Sequence, residues 1–368
     1  ALAVIQSYSP WRPSAGVTES GLTIKDLENS DLTYEKKHEL NIGADLGFLD
    51  NRINLTVDWY KRDNFDLIGR VMTQGIGGQI QKYGNVATMK SRGIEFSLST
   101  KNIKTKDFSW TTDFIYSHMK NEVTKFNTST RAFNLVSGIG FSREGYPVNS
   151  LFSYDFRGLN EDGVPTFINE AGVLTSTDIN FQETERFDNL VYSGPSEPTD
   201  VGSFGNIFQY KGLRLNVFIT YSFGNVVRLD PVFSSIYNDL DAMPREFRNR
   251  WMTPGDERYT DVPAIVSSRQ VRNDSKLSYA YNAYNYSTAR IAKGDFIRMK
   301  EISLTYDFPK RWIKKLRMSN LALKIQATNL FLIYADKKLN GQDPEFFNTG
   351  GVAVPVPKQF TLTLKIGL

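Results

Sequence analysis

Apolar and polar residues alternate with a period of two in several stretches of this chain, which places residues i, i+2 and i+4 on one face of an extended strand. Leu40, Ile42, Ala44, Leu46 and Phe48 form one apolar series, with Glu39, Asn41, Gly43, Asp45 and Gly47 between them. Beyond Asp50-Asn51 the parity inverts, and Ile53, Leu55, Val57 and Trp59 alternate with Asn54, Thr56, Asp58 and Tyr60, which predicts a hairpin with an Asp-Asn turn. Ile94, Phe96 and Leu98 lead through a polar turn near 101–106 into Trp110, Thr112, Phe114 and Tyr116. Phe204 to Tyr210 turns at Lys211-Gly212 into Leu213, Leu215, Val217, Ile219 and Tyr221. Phe296 to Phe308 passes through a segment around Pro309 and Trp312 to Leu321, Leu323, Ile325 and Ala327, and Phe360, Leu362, Leu364, Ile366 and Leu368 form the last run.

These runs are about ten residues or longer, the length a tilted strand needs to cross a bilayer. Short turns alternate with long loops, the asymmetry of an outer-membrane barrel with periplasmic turns and extracellular loops. A soluble sandwich shares the alternation but seldom carries loops of about seventy residues. The predicted fold is therefore all-β, a transmembrane antiparallel barrel. If Leu368 ends in the periplasm, the nine runs alternate in direction. A tenth run, Leu151 to Phe156, would force two successive strands to descend, so the stretch from about Asn121 to Pro198 is expected outside the membrane.

Composition narrows the chemistry. The 368 residues carry both signs of charge, net +4, without a basic tail or stripe, which gives no footprint for nucleic acid. With no cysteine and only His38 and His118, thiol catalysis and Cys-based zinc sites are excluded. No apolar run reaches about eighteen residues, the minimum for a transmembrane helix. Aromatic residues make up 13% of the chain, including eighteen Tyr and twenty-five Phe, and suit the two interfacial girdles of a membrane barrel. The mean hydropathy of -0.37 fits strands with one apolar face each. Ala1 to Gln6 lacks the features of a signal peptide and reads as internal to a longer protein.

Local motifs follow one another along the chain: Asn29, Asp31, Leu32, Glu35 and Lys36 before Asn41-Ile42-Gly43, and Val57-Asp58-Trp59-Tyr60-Lys61-Arg62 with Asp66-Leu67-Ile68. Gly84-Asn85 with Arg92-Gly93-Ile94-Glu95 follow, then Glu144-Gly145-Tyr146-Pro147 and Gly158 to Gly163. Asn249-Arg250-Trp251 with Thr253-Pro254-Gly255-Asp256, Phe296 to Lys300, Thr328 to Phe331 and Asp343-Pro344-Glu345 complete the series. In this order the motifs resemble the C-terminal third of SusC/RagA-like TonB-dependent outer-membrane transporters, with Ser30 and Tyr34 where the family has Pro and Trp. The resemblance implies that residues 1–368 form the C-terminal portion of one barrel of about 22 strands. It also implies a plug, TonB box and signal peptide outside this sequence, and a Bacteroidota outer-membrane location. The implied activity is TonB-dependent import of oligosaccharides or peptides, with a SusD-like surface lipoprotein as lid, the TonB complex as energy source and outer-membrane lipid as surroundings. A passive porin or adhesion barrel is the alternative, and a surface hydrolase would need a catalytic constellation.

None is present: there is no Gly-x-Ser-x-Gly elbow, and Glu161 and Asp162 are neighbours that diverge in an extended chain. No cofactor motif stands out. His118 follows Tyr116 on the apolar register and reads as an interfacial polar side chain, and Asn160, Asp162 and Gly163 read as a turn ahead of a calcium loop. Asp45, Asp58, Glu95, Asp113, Arg214, Glu301 and Lys365 fall on the polar register and are the candidates for the barrel lumen. Arg250 and Trp251 could stack on a sugar but are favoured as a loop anchor. Tyr146, Tyr154, Phe156 and Phe167 in the 121–198 stretch are expected as an exposed aromatic patch against the lid.

Overall fold

A strand placed in hydrocarbon must pair its backbone on both sides, because no water is there to accept the orphaned N–H and C=O groups. The alternating runs meet this demand by forming one nine-stranded antiparallel sheet in the computed structural model, which describes residues 4–14, 17–26, 29–72, 81–128, 130–137, 140–232, 245–315, 318–347, 355 and 357–367. Its strands, in chain order, are β1 (Lys36–Phe48), β2 (Ile53–Met72), β3 (Gln81–Lys104), β4 (Phe108–Phe126), β5 (Asp200–Tyr210), β6 (Leu213–Phe223), β7 (Phe296–Asp307), β8 (Asn320–Ala335) and β9 (Gln359–Gly367). Each pairs with its neighbour in sequence, so the sheet is an uninterrupted meander. Leu368 lies outside the described residues. A separate hairpin, Val4–Ser14 with Val17–Asp26, precedes the meander.

Three tight turns share one end of the sheet. Between β1 and β2 the turn is wider than the Asp-Asn pair alone, with Leu49, Asp50 and Asn51 all at positive φ and the Arg52 N–H closing on the Phe48 carbonyl at 3.1 Å. The β3–β4 turn is tighter than expected, because β3 runs on to Lys104 and leaves only residues 105–107. Lys211 (φ 44°) and Gly212 (φ 90°) both take positive φ, the requirement of a two-residue turn that matches strand twist. A Cβ on Gly212 would come within 2.8 Å of the Asp307 carbonyl oxygen, a second reason for glycine there. Helix α1 (Lys310–Lys315) makes the connection from β7 to β8 at the same end.

Cross-strand register confirms one continuous apolar face. Leu46, Leu55, Leu98, Phe114, Phe204 and Ile219 stand opposite one another in a single row across six strands. A bulge at Lys300 then shifts the pairing, and Met299 and Phe331 continue the row. Asn329 accepts the left-handed conformation (φ 53°) that the irregularity between β7 and β8 imposes.

The strands β2, β3 and β4 hold 20, 24 and 19 residues, about twice what a bilayer crossing needs, so they rise well beyond the membrane. The 121–198 stretch therefore begins later than anticipated, since β4 continues to Phe126. Ser150–Tyr154 does not join the large sheet but pairs with Leu190–Pro195, in agreement with the parity argument. Around it the long connections build a cap with its own core of Leu135, Val136, Phe152, Tyr154, Phe167 and Tyr284. The expected exposed aromatic patch is thus absent as such: Tyr154 and Phe167 have no accessible surface, and Tyr146 and Phe156 pack against the same core. Burying an aromatic ring is worth more than leaving it to meet a partner, and the cap loops are long enough to fold back on themselves.

Leu46→Arg or Leu364→Arg should impair assembly far more than Asp45→Arg or Lys365→Glu, because a mid-membrane cation on the apolar face costs about 2–4 kcal/mol. Heat-modifiable mobility of the assembled barrel measures the difference, and equal damage from the two classes would refute the face assignment.

Candidate transport face and its cap

The face opposite the apolar rows carries all seven polar-register residues. Asp45 accepts a hydrogen bond from Thr56 Oγ1 at 2.6 Å, and Asp113 one from Ser99 Oγ at 2.7 Å. Asp58 lies directly opposite Glu95 on β3 and Gly43 on β1, and a Cβ on Gly43 would stand 2.3 Å from its Oδ1. Glu301 accepts from Asn216 Nδ2 at 3.2 Å and meets Lys324 at 3.8 Å. Arg214 is exposed and stands opposite Gln209 and Thr305, while Lys365, also exposed, stands opposite Ala322. The seven share a face but do not converge on one point.

The motifs that carried the resemblance meet one another in pairs. Asn85 accepts from the Thr33 N–H at 2.8 Å and donates to the carbonyls of Thr33 at 3.0 Å and Asp66 at 2.5 Å. Glu35 accepts from the Ile68 N–H at 2.8 Å, and Lys36 pairs with Asp66 at 2.8 Å. Together these contacts fix the segment before β1 to a bulge on β2, where Asp66 adopts φ 57°. Tyr60 lies over Gly93, where a Cβ would meet its ring at 2.5 Å, so the aromatic side chain fills the space that glycine leaves on the neighbouring strand.

In the cap, Trp251 lies against Gly163, where a Cβ would fall 2.5 Å from the indole, and its Nε1 donates to Glu257 at 3.1 Å. Asp256 accepts from the N–H groups of Met252 and Thr253 at 3.0 Å, and these bonds hold its carboxyl below the usual carboxylate range. Asn160 Oδ1 accepts from the Asp162 and Val164 N–H groups, so it organises a turn. Half-buried Arg250 lies over the Phe247 ring and donates to the Phe247 carbonyl at 3.4 Å. The Asn-Arg-Trp loop is thereby locked onto the Gly158–Gly163 turn. Buried Arg298 of β7 pairs with Asp343 at 2.5 Å and Glu345 at 3.1 Å, which ties the connection after β8 to the sheet.

Other placements were not legible in the sequence. His118 Nδ1 lies 2.8 Å from Asp200, which also accepts from Tyr116 at 2.6 Å, so a small polar network closes the upper edge of the apolar face. His38 packs its ring edge against Phe65. Arg228 is buried in the cap, donates to the Phe152 carbonyl at 2.7 Å, and forms no ion pair among the described residues; burial pushes its guanidinium down to about 10. Arg290, equally buried, pairs with Glu246. Tyr154 is no candidate for a lid contact, because it is enclosed; Met252 (62% exposed) and Tyr259 (89%), beside the anchored Trp251, present apolar surface instead. They lie in a loop without periodicity, so no pattern could have singled them out.

Residues 5–330 match the family described as TonB dependent receptor-like, beta-barrel. The chain belongs to that family. It is 26% identical over 344 residues to TonB-dependent receptor P3 of Formosa agariphila, covering 89% of this chain and 32% of that protein. TonB-dependent receptor SusC of Bacteroides thetaiotaomicron is 26% identical over 357 residues, covering 92% of this chain and 32% of the relative. Among solved structures, the RagAB peptide transporter superposes with a TM-score of 0.77 at 24% identity, covering 100% of this chain and 38% of that one, and so shares its fold. The chain spans about a third of the length of the curated relatives it matches. The nine-stranded sheet is accordingly a SusC/RagA-like part of an outer-membrane β-barrel.

Gly163→Ala should loosen the cap by about 1–3 kcal/mol, since the residue holds φ 72° and touches the Trp251 ring. Arg298→Ala, which leaves Asp343 buried without its cation, should cost about 3–5 kcal/mol locally. Limited proteolysis should show faster cleavage within 245–265 for the first and within 336–347 for the second, with heat-modifiable mobility retained by both.

Proposed function

We propose that this chain is the C-terminal barrel portion of a TonB-dependent importer that carries oligosaccharides or peptides across the outer membrane. The observation that carries the reading is the family match over residues 5–330, joined to a sheet with one apolar and one charged, hydrogen-bonded face. The apolar face meets lipid, and Asp45, Asp58, Glu95, Asp113, Arg214, Glu301 and Lys365 line a wet lumen or grip a plug. Charges cost little in such an interior. Among the described residues both β1 and β9 are sheet edges, and hydrocarbon requires partners for each, so the rest of the receptor supplies the strands that close the barrel, together with the plug and the TonB-contacting segment.

The tight turns face the periplasm, and the cap, built from the described residues within 127–199 and 224–295, faces the cell exterior. A SusD-like lipoprotein closes over this cap and meets exposed Met252, Tyr259, Val173 and Leu174 in place of the buried aromatics. RagAB is a peptide transporter and SusC a TonB-dependent receptor, a name that carries no cargo, so the choice between oligosaccharide and peptide rests on the uptake experiment below. Substrate selection then lies with cap residues outside the interlocking motifs, because Trp251 and Arg298 are committed to holding loops in place.

A protease tag inserted at Gly172, an exposed position whose Cβ direction is open, should be reached from outside on intact cells. Accessibility only after permeabilisation would invert the orientation. Met252→Asp with Tyr259→Asp should reduce co-purification of the lipoprotein about tenfold or more, as loss of central apolar anchors does. Uptake of labelled glycans and peptides by cells carrying or lacking the full-length receptor decides between the cargoes, and uptake unchanged by its loss would refute import.

A further inference from the structure

On β2, β3 and β4 the apolar face of the sheet ends abruptly on the cap side, while on β1 Leu40 still stands opposite Lys61. On β2 the series Ile53, Leu55, Val57, Trp59 is followed in the same register by Lys61. Lys61 stands directly opposite Arg92 on β3, and Arg92 directly opposite Lys120 on β4. Three cations therefore occupy one cross-strand row, immediately above Trp59, Ile94 and His118 of the preceding row. The next row holds Asp63, Lys90 and Glu122. Only Lys61 has an acidic neighbour within ion-pair range, Asp63 at 3.8 Å, and Lys90, Arg92 and Lys120 form no ion pair among the described residues. All four cations are exposed.

Like charges directly opposite across a sheet destabilise it, so such a row needs a compensating anion. A shallow depression of about 410 Å³ lies between these side chains and is lined by Trp59, Lys61, Lys90, Arg92, Lys120 and Glu122. Trp59, the one apolar residue that lines it, belongs with Ile94 to the lipid-facing row below, and the rim is cationic. The occupant must present negative charge at the height where hydrocarbon gives way to water, and continue downward as acyl chain. A free anion would leave Trp59 and Ile94 without a partner, while an apolar ligand would leave the cations without one. Asp63 and Glu122 offset two of the four charges, but they sit in the row farther from the membrane.

The geometry points to a specific site for the phosphate group of an anionic outer-leaflet glycolipid, held by Lys61, Arg92 and Lys120 with the lipid chains against Trp59 and Ile94. Arg92 supplies a planar fork suited to two phosphate oxygens, and the lysines supply point charges on either side. The assignment rests on the outward placement of the cap proposed above.

The test uses the full-length receptor assembled in outer membranes, extracted in nonionic detergent and analysed by native mass spectrometry for bound phosphorylated glycolipid. The unmodified receptor should retain it. Lys61→Gln/Arg92→Gln/Lys120→Gln, checked by heat-modifiable mobility, should rebind delivered glycolipid about a hundredfold more weakly, since three surface cations each contribute about fivefold. Lys120→Gln alone, which keeps two cations, guards against misassembly and should weaken rebinding about fivefold. A control removing three cap cations, Arg269→Gln/Arg272→Gln/Lys276→Gln, should behave as the unmodified receptor. Vesicles of phosphatidylglycerol and millimolar inorganic phosphate are offered in parallel, and neither should displace the glycolipid. Unchanged rebinding by the triple variant, equal loss in the control, or displacement by inorganic phosphate would overturn the site. A preference for phosphatidylglycerol also overturns it: with the Gly172 tag reachable from outside, only this inference fails, whereas with the tag hidden the orientation has failed.

Discussion

Pairing of every backbone N–H and C=O within the hydrocarbon is the constraint on which the rest of this structure depends. It requires antiparallel strands in unbroken succession, and the meander from β1 to β9 meets it without a crossover. Because side chains alternate on each strand, the same pairing sorts residues onto two faces. The apolar row from Leu46 to Ile219 and the hydrogen-bonded carboxylates Asp45 and Asp113 are two consequences of one register. Where a bulge interrupts the ladder, at Lys300 and Asn329, the shift returns the next residues to their proper face.

Above the membrane that constraint relaxes, and ordinary globular packing takes over. The cap buries Tyr154, Phe167 and Tyr284 in a core of its own and draws its cations Arg228 and Arg290 in with them, and Arg298 is buried at the adjoining end of β7. Buried cations persist where partners are close, as Asp343 and Glu345 are for Arg298 and Glu246 is for Arg290. Arg228 depends instead on a carbonyl and on the Tyr286 ring. The recurring motifs serve this architecture: Trp251 on Gly163, Tyr60 on Gly93 and Asn85 at the Asp66 bulge each fasten one loop or strand to another. A scaffold fastened in this way can vary its remaining loop residues without changing its motifs.

The strand runs, their faces and the exclusion of Leu151 to Phe156 from the large sheet were all written in the sequence, because a period of two and a parity count are local properties. Turn chemistry at Lys211-Gly212 was equally local, since positive φ at both positions is a property of the dipeptide. The family motifs were legible as strings, but what they do was not: nothing in Asn-Arg-Trp announces that a glycine some ninety residues earlier lies under its indole. Tertiary structure alone decided that Tyr154 and Phe167 are core, that Asp200 completes His118 and Tyr116, and that Lys61, Arg92 and Lys120 share one row. The physical reason is the same in each case. Alternation determines which way a side chain points, whereas burial, hydrogen bonding and charge proximity depend on which distant segment the fold brings opposite it.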